Sequence, residues 1–227
     1  MLKANFITAQ EAAEKIQDGS TLCTIGMTLV SASESILKAI EKRFETDGHP
    51  ADITLVHSCG QSDRKDGIQH LAHEGLVKRI VGSHWGLQPR WMEMIADSQV
   101  EAYCLPQGQI AQLYRSMACG LPGKMSKVGL GTFIDPRVEG GKMNDRTKPL
   151  PDIVDILEYG GEEYMFYKEI PLDTVLIRGT VCDEMGNLTT TEEAMKLEVL
   201  PAVKSNAYGL GTVEIAKYLV QECGIRF

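Results

Sequence analysis

No stretch of this chain approaches the ~20 consecutive apolar residues a membrane-spanning helix needs, so no membrane span is expected. The opening Met1-Leu-Lys-Ala-Asn-Phe6 has no apolar core of the kind a secretory leader carries, which points to a cytoplasmic protein. Basic residues are too few to balance the acidic ones. The resulting net charge of −8 argues against nucleic acid, whose affinity comes largely from neutralising phosphates with Lys and Arg. The cysteines, at 23, 59, 104, 119, 182 and 223, include no Cys-x-x-Cys pair. Free thiols in a reducing compartment explain that scatter better than a disulfide framework or a zinc site. Internal repeats, low-complexity tracts and flexible linkers are also missing. His70, His73 and Glu74 come nearest to a metal motif, but the metalloprotease pattern is His-Glu-x-x-His with i,i+4 spacing. Here the histidines are three apart and the glutamate is misplaced, so no metal is expected.

What is present is a steady alternation of strand and helix signals over a length that permits ample core burial. Thr8-Ala-Gln-Glu11 is a capping box that opens a helix closing near Asp18-Gly19. Thr21–Ile25 reads as a buried strand ending at Gly26-Met27. Ser33 or a neighbouring serine caps a second helix, whose Ile36, Leu37, Ile40 and Phe44 share one face and which stops at Asp47-Gly-His-Pro50. Strands follow at 53–57, 77–81 and 100–104, with a polar loop at 58–67 and a helix from Leu87 to Asp97 that tolerates Pro89 in its first turn. This is the pattern of βαβ units and a mainly parallel sheet. Beyond Lys127 it changes: Ile156–Tyr159, Gly160-Gly161 and Glu163–Tyr167 predict a hairpin, so a mixed sheet is expected. Asp173–Arg178 reads as a further strand, and Thr190-Thr-Glu-Glu193 as a second capping box. The expected fold class is α/β, a mainly parallel, mixed sheet with flanking helices.

In such sheets ligands sit at the strand-end loops, where backbone N–H groups and helix N-termini converge. That places Gly26, the loop Gly60-Gln61 and the loop Gly131-Thr132-Phe133 around a candidate acyl or carboxylate pocket. The loop after the first strand, residues 26–33, reads rather as a plain βα connection. Gln107, between Pro106 and Gly108, is a neutral donor of the type that steadies a developing oxyanion, although by itself it reads as well as a solvated turn residue. Arg137, in Asp135-Pro-Arg137, is open to a bidentate anion partner or to a surface acid of the same chain.

Leu105-Pro-Gln-Gly108, Gly131-Thr-Phe-Ile-Asp-Pro-Arg137 and Gly140-Gly-Lys142 resemble the α half of the family I CoA-transferases, nearest to the propionate or short-chain acyl-CoA type. Leu176-Ile-Arg-Gly-Thr180 and Asp183-Glu-Met-Gly-Asn-Leu188 match that family's later block, so the likeness runs from about Ile7 to about Val203. The resemblance implies a CoA-transferase α-like domain over residues 1–203 and exchange of CoA between short-chain carboxylic acids. It gives Gln107 the role of oxyanion donor and makes the CoA thioester a substrate, with no resident cofactor or metal. It also implies that the nucleophilic glutamate, in a Glu-Asn-Gly type of motif, lies on a β half. Neither Glu139 nor Glu184 matches that motif, so the chain alone is expected to be inactive and to work in a homo- or hetero-oligomer. A non-catalytic acyl-CoA or partner-binding module is the alternative, and a sugar-phosphate isomerase or hydrolase on the same sheet rests on fold analogy alone.

Residues 204–227 read differently. Val203-Lys-Ser-Asn-Ala-Tyr-Gly-Leu-Gly211 resembles the start of the alanine racemases, in which the Lys204 equivalent holds pyridoxal phosphate as a Schiff base. A (β/α)₈ barrel takes about 250 residues, so this tail is expected to form a strand, a loop and a helix docked on the preceding body. A pyridoxal-phosphate racemase fragment is the remoter alternative.

Overall fold

A computed structural model of the protein describes residues 4–189. Residues 5–178 form one compact unit, and Ala4 with residues 179–189 belong to a second. The calls at Thr190–Glu193, Lys204 and the tail lie outside the described residues.

The first unit is built on five parallel strands: β1 (Thr21–Thr24), β2 (Ile53–His57), β3 (Val77–Gly82), β4 (Glu101–Cys104) and a short strand later in the chain, Thr174–Leu176. Their order runs β4, β3, β2, β1 and then Thr174–Leu176, with every pairing parallel. Alternation along each strand sends neighbouring side chains to opposite faces. Leu22, Leu55, Ile80 and Ala102 pack into one core with Ala13, Ile16, Leu37, Ile40, Trp91 and Ile95. Cys23, Val56, Val81 and Tyr103 point the other way, into a second core. A sheet covered on both faces needs apolar residues at consecutive positions, and these strands have them.

The first core is closed by three helices. In α1 (Ala9–Glu14) the capping box is present, with Thr8 Oγ1 accepting from the Glu11 N–H and the Glu11 carboxylate accepting from the Thr8 N–H. The helix ends at Glu14, four residues short of the expected stop. In α2 (Glu34–Asp47), Leu37 and Ile40 are buried and Gly48 closes the helix in the left-handed conformation at φ 77°. Ser33 sits at its N-cap, but its hydroxyl makes no capping bond. In α3 (Pro89–Ala96) proline occupies the first turn, as its missing N–H permits.

The second core is covered by α4 (Gln107–Ala118) and by a separate antiparallel sheet. The expected hairpin is there, as β6 (Val154–Tyr159) and β7 (Glu162–Lys168). Its antiparallel pairing does not extend the parallel sheet. Instead β7 also pairs with β5 (Gly123–Ser126), giving the order β5-β7-β6. β5 has no clear signal in the sequence, because Gly-Lys-Met-Ser contains a single apolar residue of strand length. Residues 127–150 are a run of turns strapped to the edge strand β4. Cys104 N–H donates to Gly141 O (2.7 Å) and Met143 N–H to Ala102 O (3.0 Å).

Thr174–Leu176 is numbered β8, and in the second unit β9 (Val181–Cys182) and β10 (Leu188–Thr189) pair antiparallel. The Asp183 carboxylate holds their turn by accepting from the Met185 and Asn187 N–H groups, both at 2.9 Å.

Candidate functional site

Because the five strands are parallel, their carboxyl ends and following loops gather at one edge of the sheet, and four of these loops are tied together by hydrogen bonds. After β1, the Thr28 N–H donates to Gly60 O at 2.7 Å. After β2, Ser58 O accepts from the Ser83 hydroxyl, which follows β3, at 2.6 Å. After β4, the Leu105 N–H returns to Gly82 O at 2.9 Å. Thr28 and Ser31 hold positive φ (53° and 61°) in the first of these loops. Non-glycine residues persist there only where surrounding bonds impose it, and the Thr28–Gly60 bond is one of them.

Gln107 is the first residue of α4, not a residue of a free turn. Pro106 precedes it with φ −61°, so the side chain leaves the helix start beside the end of β4. Burial pushes the Cys59 thiol up, with the Gly60 N–H and the Gln107 side chain offsetting part of that.

Gln61 has a different part. It is fully buried, and its Nε2 donates to Thr24 O at 2.8 Å. Its side chain ties the β2 loop to the end of β1. Gly26 begins the first loop at φ 150°, where a Cβ would lie 2.8 Å from Val30 O, and only glycine fits. Gly131, Thr132 and Phe133 are exposed. The link from Phe133 to the Gln107 end of β4 is indirect: Phe133 O accepts from Gly141 N–H (2.9 Å), and Gly141 O accepts from Cys104 N–H.

Arg137 resolves to the intramolecular option. Its guanidinium bonds Asp135 (Nη2–Oδ2 2.8 Å) and Glu163 (Nη1–Oε1 2.9 Å), joining the turn-rich strap to β7. The Arg137 bonds, with help from the Gly131 N–H, hold the buried Asp135 carboxyl well below its usual range.

His70 and His73 likewise find partners within the fold. His70 bonds Glu34 at 2.8 Å and Glu41, both on α2, and His73 bonds Glu41 at 2.8 Å. Donor atoms of Glu34, Asp66 and His70 lie within 4.8 Å of one another, as do those of Glu41, Glu45 and His73. The Lys38 ammonium already bridges Glu34 (3.1 Å) and Asp66 (3.2 Å), so a side-chain cation occupies the position a metal ion would take.

His57 and Trp85 belong to the strand-end network and were not singled out by sequence. His57, the last residue of β2, is fully buried, and burial pushes its pKa down to about 4. Trp85 Nε1–H donates to His57 Nε2 at 3.1 Å, and His57 Nδ1 lies 2.7 Å from Cys59 O. Indole is a donor only, so Nε2 is the acceptor and the single ring proton sits on Nδ1. A histidine closing a strand just before a polar loop was the available signal. Its partner, 28 positions away, was not.

Residues 6–218 match the coenzyme A transferase family. The chain belongs to that family. It is 40% identical over 215 residues to a caffeate CoA-transferase of Acetobacterium woodii, an alignment taking in 93% of this chain and 41% of that protein. It is 24% identical over 205 residues to the acetate CoA-transferase subunit alpha of Escherichia coli (strain K12), covering 90% of this chain and 83% of the subunit. A crystal structure of the acyl-CoA transferase apoenzyme from Escherichia coli O157:H7 superposes with a TM-score of 0.78 at 35% identity, over 82% of this chain and 36% of that one. The chain therefore spans about two-fifths of the length of the first of these relatives. The family match passes through Lys204 and on to residue 218. The resemblance to alanine racemases is not among what these comparisons show.

Proposed function

We propose that this chain is the α part of a short-chain acyl-CoA:carboxylate CoA-transferase. The single observation that carries the reading is the place of Gln107 as the first residue of α4, directly after the carboxyl end of β4. A neutral amide donor at a strand-end helix start is the type of group an acyl oxygen needs as it gains negative charge. Membership of the family supports the same chemistry.

On this reading a β half supplies a glutamate nucleophile. Its carboxylate attacks the thioester carbonyl of acyl-CoA. The C–S bond breaks, CoA leaves as thiolate, and an acyl–glutamyl anhydride remains. The thiolate then attacks the glutamyl carbonyl, leaving CoA on the glutamate and releasing the acid. Gln107 stabilises the oxyanion in each addition, and the reaction requires no resident cofactor. The acids include acetate and propionate; the name of the Acetobacterium woodii relative adds an aromatic acid to those worth testing.

The test is mass spectrometry of the chain incubated with acetyl-, propionyl- or caffeoyl-CoA, with and without a β half of the family. A CoA-sized adduct on a β-half glutamate, formed only in the mixture and weakened by Gln107→Ala, is the expected result. An adduct on this chain alone, or none in the mixture, overturns the proposal.

A further inference from the structure

Four of the five histidines are engaged within the fold. His49 bonds Asp18, His57 bonds the Trp85 indole and the Cys59 carbonyl, His70 bonds Glu34 and Glu41, and His73 bonds Glu41. His84 is the exception. It lies in the loop after β3, at the carboxyl edge of the parallel sheet. The residue is exposed, and its ring has no hydrogen-bond or ion-pair partner among the described residues.

Its place is nonetheless fixed. The preceding residue is tied to both neighbouring strand ends, since Ser83 Oγ–H donates to Ser58 O at 2.6 Å and Ser83 O accepts from the Cys104 thiol at 3.7 Å. The buried Gln88 amide, with its nitrogen turned toward the carbonyls, donates to His84 O (3.1 Å) and Trp85 O (3.2 Å). Its oxygen accepts from the Gln61 N–H at 2.9 Å. The ring is seated between two glycines. A Cβ on Gly60 would lie 2.6 Å from His84 Nδ1, and one on Gly86 would lie 3.0 Å from His84 Nε2. Neither glycine has a positive φ, so backbone conformation does not demand them. What each supplies is room for the imidazole.

An imidazole carries at least one N–H donor whether neutral or protonated. This one stands against Gly60, a strand-end residue expected around the carboxylate pocket, and β3 runs between the strands that lead to Gly60 and to Gln107. Two cations of the nearby turn-rich strap are already taken: Arg137 by Asp135 and Glu163, and Lys142 by Asp152 (2.8 Å). We infer that His84 is a substrate-binding residue that donates a hydrogen bond to the carboxylate of the acid that gives up or receives CoA. The inference rests on the reading of the chain as part of a carboxylate CoA-transferase. It adds a donor from the loop after β3 to the Gln107 amide after β4.

The experiment is a propionate titration of the full chain mixed with a β half, followed by NMR of the histidine rings and the Gln107 side-chain amide. His84 and Gln107 should shift along one saturating isotherm. His49, also exposed but in the loop that enters β2 at the opposite edge, should not move. His84→Leu should weaken propionate roughly tenfold, the loss of one hydrogen bond to a charged group, with no change in melting temperature. His84→Gln, which keeps an N–H donor, should recover most of that loss. Gly60→Ala leaves His84 in the chain but crowds its ring, and should weaken propionate by a similar factor. In CoA-exchange assays the His84→Leu loss should fall on KM for the acid rather than on kcat. A Gln107 shift without a His84 shift overturns the assignment and leaves the proposed function standing. No shift at either group overturns both. A His84 shift that sodium chloride reproduces at the same concentration, or an unchanged KM for the acid in His84→Leu, also overturns the assignment.

Discussion

At the scale of single residues, the candidate site is made of groups that are individually ordinary: Gln107 is a helix-start amide and Gly60 a glycine of the loop after β2. Removing a preorganised oxyanion donor costs about 10²–10³ in kcat. Gln107→Ala, assayed with a β half by initial rates of CoA exchange, should fall in that range with little change in thermal stability. A fall below tenfold would deny Gln107 the donor role. Gly82 makes a complementary test of the packing. A methyl there enters the space of the His57 ring, and overpacking of this kind costs about 1–3 kcal/mol. Gly82→Ala should lower the urea midpoint accordingly; an unchanged midpoint would mean the ring moves aside freely.

At the scale of elements, the bond network between α2 and the 3₁₀ helix Gly67–Leu71 makes a pH-dependent clamp. His70 faces Glu34 and Glu41 of α2 and Asp66 of its own loop, while Lys38 neutralises Glu34 and Asp66, and Arg90 approaches Glu41 and His73. Burial pushes the His70 pKa down, but its bonds to Glu41 and then Glu34 outweigh that, so the pKa is raised above 6.5. A group raised in the folded state contributes stability that is complete below its unfolded pKa and is lost as pH rises through the folded value. His57 acts in the opposite sense. Lowered to about 4, it makes the folded state gain stability as pH climbs from about 4 to about 6.5. Urea unfolding of the native chain should therefore show a loss above pH 6.5. His70→Asn should be less stable by about 1–2 kcal/mol below that pH and should lack the loss above it. An unaltered profile in the variant would show that other groups produce it.

At the scale of the whole molecule, the antiparallel sheet leaves apolar side chains exposed on its outer face. Met165 and Tyr167 point into the core, so the alternation along β7 turns Tyr164 and Phe166 outward. Cross-strand pairing sets Leu157 opposite Tyr164 and Met125 opposite Phe166. Met125 and Leu157 remain 39% and 38% exposed. These apolar groups are interleaved with the Lys168–Asp155 pair and with Lys127 over the Tyr164 ring, a mixed face of the kind that a weak contact with another molecule uses. Sedimentation of the chain alone should show concentration-dependent self-association, suppressed by Leu157→Lys with no change in melting temperature. A monomer at every concentration would rule out this face as a contact between copies.

Much of this architecture follows from local order in the chain. The capping box at Thr8–Glu11, the proline in the first turn of α3, the left-handed Gly48 and the consecutive apolar residues of β1 to β4 each have a short-range physical cause. Elements built on such causes were legible, as was the hairpin across Gly160-Gly161. What the sequence could not determine was where that hairpin goes. Antiparallel pairing is a property of two neighbouring strands, whereas membership of a sheet depends on which edge is free, and β5 offered the edge. The destination of Arg137 was open for the same reason: a guanidinium takes whichever acids the fold brings within reach, and here they are Asp135 and Glu163. The site divides in the same way. Gln107 and Gly60 were visible as strand-end residues, because a parallel sheet must place its loops at one edge. The neutral tautomer of His57 was settled by Trp85, from another strand-end loop, a contact between distant parts of the chain that only folding creates.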